Sequence, residues 1–146
     1  MAAALEREKK RRGASLYSHF QRGDEEVVGI LDRAEWVGLP AVTLGELRTG
    51  FLMGHRRAEN EEELIEFLAN PAVETIPVDG EVSRHYVEIV ADLRKSGTPL
   101  PTNDVWIAAT AARAGALVLT YDRHFESITR VGSVLADPRA RRTSSG

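Results

Sequence analysis

The most regular stretch of the chain lies between residues 80 and 95, where Val82, Tyr86, Ile89, Val90 and Leu93 fall on one side of a long amphipathic helix that Gly97 and Pro99 terminate. Upstream, SLYSHFQRG (15–23) predicts a short helix ended by Gly23, and Asp24 caps a second, DEEVVGILDRA, striped by Val27, Val28 and Leu31. WVGLPAVT (36–43) is an apolar β-rich run and predicts a strand. Thr43 and Glu46 then have capping-box spacing at the start of the helix LGELRTGFLMG. Residues 58–69 predict an acidic helix with Leu64, Ile65 and Leu68 as its buried edge, and VETIPV (73–78) a second strand. A helix over about 103–114 leads through Gly115 into the strand ALVLT; Asp122 opens a turn or short helix, RHFESI, and VGSVLA is the last strand. Strands separated by helices imply an α/β fold with a mostly parallel sheet covered on both faces.

Composition narrows the class. A chain of 146 residues fits one domain, enough to bury roughly two-thirds of its unfolded surface without staples. The absence of cysteine rules out disulfides and thiolate metal sites, which is compatible with a reducing cytoplasm. The first residues carry charge from Glu6 onward, where a secretory signal needs an apolar core, and no window approaches a membrane span. Net charge is −3, so the overall field does not favour nucleic acid and phosphate attraction must be local. The basic clusters at Arg7 to Arg12, Arg56–Arg57 and Arg139 to Arg142 read first as solvated surface.

Chemistry concentrates in three acids. In an open parallel sheet, ligands gather outside the carboxyl ends of the strands, where helix N-termini point their free N–H groups. Glu46 opens the helix after AVT, Asp104 opens the helix after PTN, and Asp122 directly follows LVLT. Asp104 shares a stripe with Ile107, Ala108 and Ala111 and therefore faces the sheet. Each acid also has a plain structural reading: Glu46 as a capping-box partner, Asp104 as a charge on a helix dipole, Asp122 as an N-cap. Caps do not explain an inward Asp104. Clustered carboxylates repel by about 4 kcal/mol per close pair at an effective dielectric of 20, and a hard divalent cation, Mg²⁺ or Mn²⁺, would offset that repulsion. Such an ion activates water for attack on phosphorus.

GELRTGF around Glu46, PTNDVWIAATA around Asp104 and LTYDRHFESI around Asp122, in this order, resemble PIN-domain ribonucleases of the VapC toxin type, over about Ser15 to Asp137. The resemblance implies a three-layer α/β/α fold and Mg²⁺- or Mn²⁺-dependent hydrolysis of RNA phosphodiesters. It further implies a VapB-type antitoxin partner, a homodimer and a cytoplasmic toxin of a type II toxin–antitoxin system. It implies Asp104 as principal metal ligand, Glu46 and Asp122 as ligands directly or through water, and Thr102 and Asn103 as neighbours shaping the site. Ser15 and Arg48 join them as candidate substrate contacts, Arg48 because it follows Glu46 on the same helix. On this reading residues 1–14 form an atypical charged segment, 15–137 the PIN-like domain and 138–146 a flexible tail.

The sequence departs from that family at its start. The family opens with an apolar strand ending in aspartate; here Gly13 stands at that position, and LEREKKRR is too charged for a buried central strand, so the N-terminal strand is expected to be absent. This keeps a second reading open, a catalytically impaired PIN-like domain that binds an antitoxin or RNA without cutting. A phosphatase is disfavoured by the lack of a P-loop, an early DxD and HExxH. His55 and His85 read as solvent-facing; His124, two residues from Asp122, is a candidate substrate contact but reads first as a surface residue, and Trp36 and Trp106 could stack on bases but read first as packing residues.

Overall fold

The computed structural model describes residues 4–7, 35–120 and 122–135. The helices expected over 15–34, with Gly13 and Ser15, and the tail expected at 138–146 lie outside the described residues. Five strands make one sheet: β1 (Ala4–Arg7), β2 (Val37–Pro40), β3 (Val73–Ile76), β4 (Ala116–Thr120) and β5 (Ser133–Leu135). Their spatial order is β3-β2-β1-β4-β5. Helices α1 (Ala41–Met53) and α2 (Arg57–Leu68) connect β2 to β3; α3 (Gly80–Ser96) and α4 (Thr102–Ala114) connect β3 to β4. A short 3₁₀ helix, Arg123–Ser127, precedes β5. β2 pairs parallel with β3 and β4 with β5, whereas β1 is antiparallel to both β2 and β4. Four strands thus share one direction and the middle one opposes them.

That middle strand corrects the expectation that the charged N-terminal segment contributes none. Leu5 pairs with Gly38 on one side and with Val118 on the other. Both neighbours are buried strands, and without a rung between them their facing N–H and C=O groups would be orphaned, at about 1–3 kcal/mol each. This backbone demand accounts for a strand where the sequence pattern predicts none. The register also fixes polarity: Ala4 lies against Leu119 and Arg7 against Ala116, so the chain leaves β1 at the rim opposite the one where β4 ends.

Local sequence explains most element boundaries. Gly38 leaves room for the Trp36 ring, since a Cβ there would come within 2.5 Å of it and 2.6 Å of Ile76. Trp36 Nε1 donates to Glu74 Oε2 at 2.8 Å, a packing and bridging role between β2 and β3. The strand expected over 36–43 stops at Pro40, which becomes the N-cap of α1 with φ −59 and ψ 144. Pro supplies no N–H to continue a ladder, and its fixed φ suits a helix start. The Thr43–Glu46 capping box therefore does not form: Thr43 is buried in the first turn and no side chain caps the helix. In α2 Leu64 is buried as expected, but Ile65 is exposed.

α3 begins where Asp79 Oδ1 accepts from the Val82 N–H at 3.0 Å and ends at Gly97 in the left-handed region, φ 68. Its buried Val82, Ile89 and Leu93 pack with Ile107 and Ala108 of α4, Val118 of β4, and Phe125 and Ile128 beyond it. Tyr86 and Trp106 stack across the two helices with centroids 3.9 Å apart. Arg130 in the turn before β5 pairs with Glu88 and Asp92 of α3, holding the 3₁₀ segment against the helix layer. No helix among the described residues is long and apolar enough to cross a membrane.

Candidate metal centre

Asp104 sits in the first turn of α4 and is buried at 7% exposure, facing inward with Ile107, Ala108 and Ala111, all at 0%. Asp122 follows β4 and caps the 3₁₀ helix: its Oδ1 accepts from the His124 N–H at 2.9 Å, while its own N–H donates to Thr120 Oγ1 at 2.9 Å. The cap and the site are the same residue. Asp122 is pinned at both its backbone and one carboxylate oxygen, which leaves Oδ2 to point elsewhere. That oxygen lies 3.0 Å from His124 Nδ1, and Asp104 Oδ2 lies 3.6 Å from the same nitrogen. One ligand atom each from Asp104, Asp122 and His124 falls within 4.8 Å of the others.

Glu46 approaches from α1. Burial pushes its carboxyl above the usual range, the Asp104 charge adds to the push, and a hydrogen bond from the Asn103 side chain opposes it. Asp104 is pushed up first by burial and then by the Asp122 charge, with the His124 hydrogen bond pulling it back. Of the three acids expected to converge, Asp104 and Asp122 are brought together with His124, whereas Glu46 is not one of the grouped ligands and feels the Asp104 charge from α1. The donor set, carboxylate oxygens and one imidazole nitrogen, fits a divalent cation held by few protein ligands.

The other candidates are placed differently. Arg48 is two residues beyond Glu46, about 200° around the helix, and its guanidinium binds Glu61 of α2 at 2.9 Å. The structure does not bring it to the acids. Thr102 is exposed and lines a largely apolar cleft of about 390 Å³ with Tyr86, Leu93, Arg94, Leu100 and Val105. Ser15 is outside the described residues. His124 is exposed, as expected from the sequence, yet its Nδ1 also reaches both Asp104 and Asp122; the signal for this was its place in an Asp-x-His run directly after a strand end.

The sequence matches the PIN domain family over residues 15–131. The chain belongs to the PIN domain family. Among PIN relatives, Ribonuclease VapC4 of Mycobacterium tuberculosis is 35% identical over 97 residues, covering 66% of this chain and 74% of that one. A solved structure of VapBC-5 from Mycobacterium tuberculosis, a toxin–antitoxin system, is 34% identical, with a TM-score of 0.58 over 66% of this chain and 79% of that one. The same PIN fold recurs at 20% identity in VapBC2 of Rickettsia felis bound to a promoter DNA fragment, with a TM-score of 0.65 over 88% of this chain and 89% of that one.

Proposed function

We propose that this chain is a metal-dependent endoribonuclease, the toxin of a type II toxin–antitoxin pair. The observation that carries the reading is the convergence of Asp104 and Asp122, with His124 beside them, at the rim where β4 ends. Asp104 and Asp122 would hold the ion directly, and Glu46 would hold it through water or directly. A bound Mg²⁺ or Mn²⁺ supplies an activated water and neutralises charge developing on the phosphate. Asn103, beside Asp104 in the first turn of α4, would donate to the Glu46 carboxylate and orient it. Burial of Asp104 keeps bulk water from competing for its oxygens.

RNA is the substrate this reading names, in keeping with VapC4, and a VapB-type antitoxin the partner, in keeping with VapBC-5. Leu52, Met53 and Ile65, exposed on α1 and α2, offer that partner apolar surface. The test is cleavage of RNA with Mg²⁺ or Mn²⁺ by this chain and by Asp104→Asn. The variant should lose about a hundredfold or more, the scale of removing one group that stabilises transition-state charge. Equal cleavage, or none in either protein, would remove the nuclease. The reversed β1 favours the second reading, an antitoxin-binding domain without cleavage, because the chain leaves that strand at the rim away from the acids. Absent cleavage together with retained antitoxin binding would select it.

A further inference from the structure

We infer that His124 is itself a ligand of the divalent ion, supplying an imidazole nitrogen to an otherwise carboxylate site and tilting its preference from Mg²⁺ toward Mn²⁺. The inference rests on the metal-dependent reading above. In an octahedral shell with bonds near 2.1 Å, neighbouring ligand atoms are about 3 Å apart. His124 Nδ1 stands 3.0 Å from Asp122 Oδ2 and 3.6 Å from Asp104 Oδ2, close to that spacing on both sides. The backbone fixes this placement, since the Asp122 cap holds the His124 N–H at 2.9 Å and so sets where the ring emerges. The side chain is 52% exposed, so packing in the core does not account for its position.

The choice of ion follows from ligand type. Mg²⁺ is a hard ion that favours oxygen and retains its waters, whereas imidazole suits transition ions, which bind mixed nitrogen and oxygen sites more tightly. Donating a hydrogen bond to Asp122 and ligating an ion are mutually exclusive uses of Nδ1. A direct measurement of nitrogen at the metal therefore separates them.

The experiment loads the metal-free full chain with Mn²⁺ alone and records pulsed electron paramagnetic resonance. Modulation from a bound imidazole nitrogen is expected in the unaltered protein, retained in His55→Gln and lost in His124→Gln. Mn²⁺ affinity should fall about tenfold or more in His124→Gln, and the preference for Mn²⁺ over Mg²⁺ should shrink with it. Mn²⁺ bound in an Asp104-dependent way without nitrogen modulation, or modulation that survives His124→Gln, overturns the ligand role and leaves the nuclease reading standing. Failure of the unaltered chain to bind Mn²⁺, or binding indifferent to Asp104→Asn, overturns both.

Discussion

Asp104 occupies a place that disfavours its charge, and the consequence is a measurable pH dependence. Its folded carboxyl titrates above its ordinary value of 3.8, chiefly through burial, and Glu46 above 4.5 for the same reason. A raised folded pKa means that the native state holds its proton longer than the unfolded chain does. The stability this contributes is fully present below the ordinary values and is lost as pH rises through the raised ones. In metal-free protein, Asp104→Asn should therefore gain on the unaltered chain in melting temperature as pH climbs from about 4. Thermal melts of both across pH check this, and a constant difference would contradict it. The inward aim of Asp104 was legible because helical spacing tied it to Ile107, Ala108 and Ala111. For His124 only its nearness to Asp122 along the chain was legible, because a 3₁₀ turn of five residues has too little periodicity to show that a cap folds the second residue back beside its capping acid.

Among the elements, the junction of α4 and β4 couples the two aspartates. Gly115 ends α4 with φ 64, a conformation that side chains with a Cβ disfavour, and Ala116 begins β4 directly. Gly115→Val should cost about 1–2 kcal/mol, read as a lower urea midpoint at unchanged slope. Helices α3 and α4 were readable almost to the residue, since both have strong apolar stripes and glycine stops. The start of α1 was misjudged by a few residues, because β-rich AVT resembles a strand until Pro40 is recognised as the break. Arg48 shows the limit of proximity in sequence: two residues from Glu46 on a helix is the far side, where Glu61 holds it.

For the whole molecule, sheet continuity depends on a four-residue strand. Leu5→Pro would remove its N–H and bar it from a central position, so amides of β2 and β4 should lose hydrogen-exchange protection before those of α3. Unchanged protection in both strands would contradict the pairing of Leu5 with Gly38 and Val118. The α/β class was legible from alternation of short apolar runs and helical stripes. The central strand was not, because charge along ALER describes side chains, whereas the slot is filled to satisfy main-chain groups of its neighbours. The orientation of that strand carries a lasting consequence. A sheet whose middle course runs upstream delivers its exit to the far bank from Asp104 and Asp122, so an extra acid engineered beyond Arg7 begins its journey on the wrong shore. The strand's entry lies on the near bank, where Ala4 faces Leu119, so a fourth acid belongs at the first residue of that strand and not after its last.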